Sequence, residues 1–411
     1  MGMEESKTES ELYEKTLRGE VVLGKNEERR VMAGHRWIFS NEVARLSPSA
    51  STGSRGSGGE PPLLVDVRSA SGRFLGTGLY NPHSLIAVRL LEGRIEKLED
   101  YVAGRISAAI SMRARVGRGE EAVRLVHSEA DGLPGVVVDR YGDRLSVQIT
   151  TRAMETLLPS ILEALSDRLN PLGIRVDRGL RARETEGLPV GEDLFVGDVP
   201  EELAVSLGEK AIRFPFREGQ KTGLFLDQKD NVRALSGRIG GGRVLDAFSY
   251  VGAWSMGVAA ATPGAVLTGV DASEKAISFY RRNVPTGEGL AADFFSWGET
   301  ARKAGRRFDA VILDPPAFIK SRRLVKEGIE GYHKAFRLGL SLLDREGVFV
   351  ACSCSALLSW EDFSGILRSV FRKEGRTARL FYSGKASWDH PRLLSMPELD
   401  YLKCAAFHVG D

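Results

Sequence analysis

From Arg243 to the C-terminus, β-rich runs alternate with helical patterns, and this constrains the chain more than any other feature. The runs fall at 243–248, 266–271, 290–293, 308–314 and 347–354, with helical spacing at 254–261, 273–283 and 331–343. A late pair of runs, 378–383 and 401–409, is placed to close the sheet. Strands that alternate with helices pair in parallel, so the pattern predicts an open, doubly wound α/β domain. Such sheets bind ligands in the crevice beyond the carboxyl ends of their strands.

The chain has 411 residues, enough for two or three domains, and its 42% hydrophobic and 27% charged residues suit globular cores. A charged leader at 1–19, frayed or helical, precedes short β-like runs at 20–23, 63–68, 73–79 and 85–91. These runs suggest a small barrel-like β domain over 20–98. Residues 46–62, rich in Ser, Gly and Pro, read as a flexible surface loop within it. A helix at 101–116, strands at 124–127, 136–139, 145–149 and 173–177, and a helix at 157–169 make an α+β domain over 99–210. The α/β domain takes 211–411.

Several classes are excluded or disfavoured. The most apolar stretch, 255–270, is broken by Gly257, Pro263, Gly264 and Gly269, so no membrane span is expected. The first 20 residues lack an apolar signal core. Three cysteines make no disulfide framework and fit a reducing cytoplasm. No His or Cys spacing suggests a metal site. The formal charge of +2 hides an asymmetry: residues 211–411 carry 29 basic against 22 acidic residues, and the first 210 carry 28 against 33. The densest basic cluster is Arg302, Lys303, Arg306, Arg307, Lys320, Arg322, Arg323 and Lys326, open to reading as a polyanion site or a solvated face.

Four strands of the α/β domain end in polar features. The first runs Asp246-Ala247-Phe248-Ser249-Tyr250-Val251-Gly252, where the glycine would let a ligand approach and the next helix could receive a carboxylate. Neither a dinucleotide fingerprint nor a P-loop is present. Asp271, 25 residues after Asp246, suits a ribose diol or a helix cap, and Asp293 could accept from an adenine amino group. The fourth ends Leu313-Asp314-Pro315-Pro316-Ala317-Phe318, a turn characteristic of S-adenosylmethionine (SAM) methyltransferases. Upstream, Phe225, Asp227 and Gln228 are open to reading as a cofactor cover or as a linker hairpin.

The fifth strand ends Ala351-Cys352-Ser353-Cys354-Ser355. Cys352 lies deeper and reads as core filler, whereas Cys354 falls at the ligand edge beside Asp314. Carbon 5 of a pyrimidine is too weak a nucleophile to take a methyl group from a sulfonium unaided. Addition of a thiolate at C6 makes it enamine-like, a role for Cys354, and Asp314 could draw electrons into the ring by sharing a proton with N3. A thiol is only a few per cent ionised at neutral pH, so nearby positive charge should matter. No residue declares itself as the base that removes the C5 proton.

Together these motifs closely resemble PUA-domain-containing class I SAM-dependent rRNA methyltransferases of the bacterial large-subunit (23S) cytosine-C5 type. The resemblance rests on Gly34-His35-Arg36-Trp37-Ile38-Phe39-Ser40-Asn41, Gly76-Thr77-Gly78-Leu79-Tyr80-Asn81-Pro82, Glu129-Ala130-Asp131-Gly132-Leu133-Pro134-Gly135 and Val138-Asp139-Arg140-Tyr141. It continues through Lys221-Thr222-Gly223 to Asp227-Gln228, Phe248-Ser249-Tyr250, Asp314-Pro315-Pro316, Ser353-Cys354-Ser355 and Asp389-His390-Pro391. It implies a PUA-like β-barrel that docks RNA, an α+β linking domain and a Rossmann-like catalytic domain. SAM would be held by Asp246, Phe248, Ser249, Gly252, Asp271, Asp293, Asp314 and Pro315, with Phe225, Asp227 and Gln228 over it. Cys354 would be the nucleophile. RNA, most of all rRNA, would be met by His35, Arg36, Lys221, Lys320, Arg322 and Arg323.

The chain departs from that pattern in its long 46–62 insertion and in Asp246, where an Asn is more usual. The activity implied is formation of 5-methylcytidine. A guanine methyltransferase without a covalent adduct, or a non-catalytic RNA-binding assembly protein, are the alternatives. The oligomeric state stays open, a homodimer included.

Overall fold

The β-rich runs after residue 243 are strands of one seven-stranded sheet. In the computed structural model, which describes residues 18–48, 63–93, 95–117, 119–207, 210–219 and 222–410, they are β14 (Arg243–Ala247), β15 (Val266–Asp271), β16 (Glu288–Ala291), β17 (Phe308–Leu313) and β18 (Leu343–Ser353). The late pair, β19 (Thr377–Gly384) and β20 (Lys403–Gly410), completes the order β16-β15-β14-β17-β18-β20-β19. The first five strands are parallel, and β20 runs antiparallel between β18 and β19. Its core includes Leu245, Ala247, Val270, Val311, Leu313, Phe349 and Ala351, packed with Phe336, Phe363 and Phe371. The chain leaves β14 for β15 on one side and returns to β17 on the other, so the crevice between the ends of β14 and β17 is the switch point where such sheets take ligands.

Among the helices the sequence pattern did not indicate, two are part of the α/β domain's core. Phe294–Lys303 buries Phe294, Gly298 and Ala301; the preceding strand was expected to reach Asp293 but stops at Ala291. Trp360–Lys373 buries Phe363, Ile366, Leu367, Val370 and Phe371, a pattern of period 3.6 legible in the sequence, and Ser359 caps it by accepting from the Asp362 N–H.

The described residues divide into two compact units, one within 18–117, 124–199 and 391–397, the other within 119–123, 200–390 and 398–410. A boundary at 210 was expected; Lys210 begins β13 (Lys210–Pro215), which pairs with β12 (Glu202–Leu207) as a hairpin of the second unit.

The first unit holds a six-stranded sheet of order β2-β6-β5-β4-β1-β3. These strands are β1 (Arg18–Leu23), β2 (Trp37–Ile38), β3 (Val43–Pro48), β4 (Leu64–Arg68), β5 (Phe74–Tyr80) and β6 (Val88–Leu90). They close on Val21, Leu23, Ile38, Val65, Val67, Val88 and Leu90. Leu46, Ser47 and Pro48, expected in the loop, instead extend β3 against Val21, Glu20 and Gly19. The rest of that insertion, and the leader before Arg18, lie outside the described residues. A five-stranded sheet follows, β7 (Ala122–His127), β8 (Val136–Tyr141), β9 (Arg144–Ile149), β10 (Gly173–Asp177) and β11 (Leu194–Gly197) in the order β11-β10-β9-β8-β7. Helices Leu98–Val116 and Leu158–Leu169 pack on each other beside it.

Candidate active site

At the end of β14 the backbone turns sharply. Phe248 and Tyr250 take φ of 63° and 48°, left-handed values that cost a side-chain-bearing residue energy and gather at functional sites. The loop is tied to β15: the N–H groups of Phe248 and Ser249 donate to the Val270 carbonyl, and that of Tyr250 donates to Asp271 Oδ2 at 2.9 Å. Gly252 has φ of 92°, and a Cβ there would come within 2.7 Å of the Tyr280 ring. Glycine is therefore required by the helix start and by Tyr280, rather than by a ligand's approach as its position in the sequence suggested.

Asp246 is fully buried. Its Oδ2 accepts from the Ser255 N–H and hydroxyl, at 3.1 and 2.7 Å, while Oδ1 has no hydrogen-bond partner; nor has Ser249 Oγ. Burial pushes the carboxyl up to about 7 against the Ser255 hydrogen bonds, with the charges of Asp314 and Asp271 adding to the rise. Two buried, unserved polar atoms at the sheet's switch point fit the charged amino-acid end of SAM, which would satisfy them.

The next two acids do local work. Asp271 Oδ1 accepts from the Ser273 N–H at 2.9 Å, so both oxygens hold backbone, and Ser273, not Asp271, caps the following helix. Asp293 caps helix Phe294–Lys303 through Oδ1, which accepts from the Ser296 N–H at 2.9 Å.

Asp314 ends β17, half-exposed, with Pro315 buried behind it. Gln228 Nε2 donates to its Oδ1 at 2.9 Å and Trp254 Nε1 donates to its Oδ2 at 3.2 Å. Two donors hold it as an acceptor. Trp254 has no local signature; it lies 60 residues from Asp314 in the chain. The Phe225–Gln228 segment reaches the site: Phe225 lies edge-on to Tyr250 at 5.2 Å, and Tyr401 donates to Asp227 Oδ2. Phe248, half-buried, packs on Phe294 at 5.0 Å.

On the adjacent strand end, Cys354 is half-exposed and its Sγ lies 3.9 Å from the Pro315 carbonyl oxygen. Cys352 is buried opposite Cys404 of β20, as core filler; burial and Cys404 push its thiol well up. The serines flanking Cys354 are buried and converge on Tyr332, Ser353 Oγ donating to its hydroxyl and Ser355 Oγ bonding it, both at 2.8 Å. This explains Ser-Cys-Ser: each serine pins the backbone on one side of the thiol. Tyr332 was not foreseen.

The remaining candidates are dispersed. His35 is buried, and its Nδ1 accepts from the Trp37 N–H at 3.1 Å. Arg36 is half-buried and paired with Glu92 at 3.3 Å. Lys221 lies outside the described residues. Lys320, Arg322 and Arg323 are exposed just past the Asp-Pro-Pro turn, and with Lys326 they have no ion pair among the described residues. Arg302 and Arg306, from the same sequence cluster, are bound to Glu299 and Glu288. His390 is buried against Asp389, a structural turn.

Residues 21–92 match the PUA-like domain family, and residues 195–364 match the S-adenosylmethionine-dependent methyltransferase family. SAM is accordingly the cofactor of the second unit. A Methanocaldococcus jannaschii protein provisionally named a ribosomal RNA large subunit methyltransferase is 36% identical over 357 residues, 85% of this chain and 89% of that one. The ribosomal RNA large subunit methyltransferase of Deinococcus radiodurans is 33% identical over 402 residues, 93% and 95% of the two chains. A solved structure of a provisionally named methyltransferase complexed with SAH superposes with a TM-score of 0.79 at 21% identity, covering 96% of this chain and all of that one, which establishes the shared fold. With a PUA-like domain, a SAM-dependent methyltransferase domain and relatives matched along nearly their full length, the chain belongs to the family of PUA-containing ribosomal RNA large subunit methyltransferases.

Proposed function

We propose that this protein methylates carbon 5 of a cytosine in large-subunit rRNA, using Cys354 as a transient covalent nucleophile. The observation that carries the reading is Cys354 itself: a half-exposed thiol at the ligand edge of the sheet, 3.9 Å from the backbone of the turn that bears Asp314. Methylation of an exocyclic amine or of guanine would need no thiol there.

Bound SAM supplies an electrophilic methyl group. Asp246, Ser249 and the loop from Phe248 to Gly252 would hold its amino-acid end, Asp271 and Asp293 its ribose and adenine, with Phe225, Asp227 and Gln228 closing over it. The Cys354 thiolate adds to C6 of the pyrimidine, and the displaced electron pair makes C5 nucleophilic. Asp314, held as an acceptor by Gln228 and Trp254, would accept from the cytosine N4 amino group, while N3 would take a proton from water as the adduct forms and return it when the C6–S bond breaks. After methylation the C5 proton is lost to a base, the C6–S bond breaks, and the thiolate is restored. Lys320, Arg322 and Arg323, unpaired beside the turn, would neutralise RNA phosphates, and the PUA-like domain would dock the RNA.

The test is methylation of large-subunit rRNA with labelled SAM, followed by nucleoside mass spectrometry. Expected are 5-methylcytidine from the wild type, loss of at least about a thousandfold in rate for Cys354→Ala, and a trapped complex with 5-fluorocytidine RNA. Methylguanosine, or undiminished turnover of Cys354→Ala, would overturn the reading.

A further inference from the structure

Lys403 begins β20, opposite Ser353 in the ladder that joins β20 to β18, and it is 5% exposed. Its Nζ donates to the carbonyl oxygens of Ser355 and Tyr401, each at 3.1 Å. The first belongs to the residue directly after Cys354, so the ammonium runs along the strand end that carries the thiol. No carboxylate lies within ion-pair distance of it among the described residues; Asp400, the nearest candidate, is taken by Lys385 at 3.0 Å. A buried cation with two neutral acceptors and no counter-anion is costly, and an anion that forms beside it relieves that cost. An ammonium has three donors, and the two carbonyls use two of them.

We infer that Lys403 is the positioning residue that stabilises Cys354 as a thiolate, the buried ammonium serving as the counter-cation of the sulfur and the thiol proton passing to bulk water. The inference rests on Cys354 acting as a nucleophile but does not depend on the base it attacks. Burial lowers the lysine's affinity for its proton, while Asp400 and Cys354 raise it, the interaction that a lysine and a thiolate would share. Other titratable groups face the same strand end. Tyr332 is pushed up by burial, remains neutral and bonds both serines. Asp314 lies across the Asp-Pro-Pro turn; its charge opposes the thiolate and makes a cation more necessary. The Lys385–Asp400 pair lies behind Lys403 and is self-compensating.

The experiment reads thiol ionisation directly. Cys354 is alkylated with iodoacetamide across pH 5 to 10 in the apo-protein without RNA, and its peptide is followed by mass spectrometry; Cys352 and Cys404 are fully buried and serve as internal controls. Lys403→Met should move the midpoint up by about one pH unit or more, roughly a tenfold loss of rate near neutrality, and Lys403→Arg should restore most of it. A folded Lys403→Met protein with the wild-type profile overturns the proposal. If Lys403→Met does not fold, the reciprocal measurement decides. In Cys354→Ser the Lys403 side chain, followed by NMR with labelled lysine, should lose its proton at lower pH than in the wild type, and an unchanged titration overturns the pairing. A midpoint shift in an enzyme that makes no 5-methylcytidine would retain the pair and sink the cytosine reading; 5-methylcytidine with no shift would do the reverse.

Discussion

Cys354 Sγ and the carbonyl oxygen of Pro315 stand 3.9 Å apart although 39 residues separate them in the chain. The ends of β17 and β18, neighbours in the sheet, thus deliver a thiol and a carboxylate-bearing turn to one point. Asp314 flanks the crevice where the strand order reverses, and Cys354 stands on the next strand end beside it.

The hold on Asp314 can be tested through Trp254, whose indole N–H is one of its two donors. Trp254→Phe keeps the aromatic packing and removes the hydrogen bond, worth roughly 1–2 kcal/mol to a charged acceptor. The expected outcome is a five- to thirtyfold fall in kcat/KM, with the melting temperature lower by only a few degrees. Unchanged kinetics would show that Gln228 alone suffices.

Asp246 makes stability depend on pH in an uncommon direction. Its folded carboxyl is pushed up to about 7 from 3.8, so folding takes up a proton between those values. The stabilisation is present at low pH, falls as pH rises through that window, and is fully lost above about 7. Asp246→Asn, of the same shape, removes the dependence. In apo-protein denaturant melts the variant should be more stable than the wild type at pH 8, by about 1–2 kcal/mol, with the advantage shrinking toward pH 5. A difference independent of pH would show that Asp246 is ionised throughout.

A second buried network is purely structural. Lys229 Nζ bonds Glu120 at 2.5 Å and Asp389 at 2.7 Å, with the lysine 2% and Asp389 0% exposed as side chains. Burial would push the Asp389 carboxyl up, but the hydrogen bond from His390 and the Lys229 charge outweigh it and hold it well below its usual range. Lys229→Met strands these carboxylates, and a loss of about 3–5 kcal/mol is expected in urea unfolding. A loss under about 1 kcal/mol would mean that water reaches the network.

The unpaired basic turn predicts a salt-dependent phenotype. Replacing Lys320, Arg322 and Arg323 by Gln should weaken RNA binding and reduce the slope of log affinity against log salt by about 2. Affinity for SAM should be unchanged by calorimetry. The same change at Arg302 and Arg306, already bound to Glu299 and Glu288, should leave the slope nearly intact. Equal effects from both sets would assign binding to general charge rather than to this turn.

Much of the fold was legible because its signals are local. Short apolar runs mark β14, β17 and β18, as expected of parallel strands covered on both faces, spacing of period 3.6 marks the helix at Leu98–Val116, and the acids and cysteine stand at strand ends in the linear order of the chain. The helix Trp360–Lys373 carries an equally plain pattern of period 3.6 in Phe363, Ile366, Leu367 and Val370. Helix Phe294–Lys303 was obscured by its opening Phe-Phe and by Gly298, which reads as a break but makes room for Leu338: a Cβ there would come within 2.8 Å of that side chain.

The sequence alone determined the α/β class, the doubly wound sheet, the strand-end acids and the thiol, since each follows from residue type and short-range period. Tertiary structure alone decided how those groups are spent. Asp271 and Asp293 hold backbone N–H groups, Asp246 is sealed with one oxygen unserved, and Trp254, Tyr332 and Lys403 reach the site from 60, 21 and 48 residues away from their partners. Those meetings depend on which strands lie side by side, β14 with β17 and β18 with β20. That order is set by packing a shared core, and packing acts between residues whose separation along the chain leaves no periodic trace.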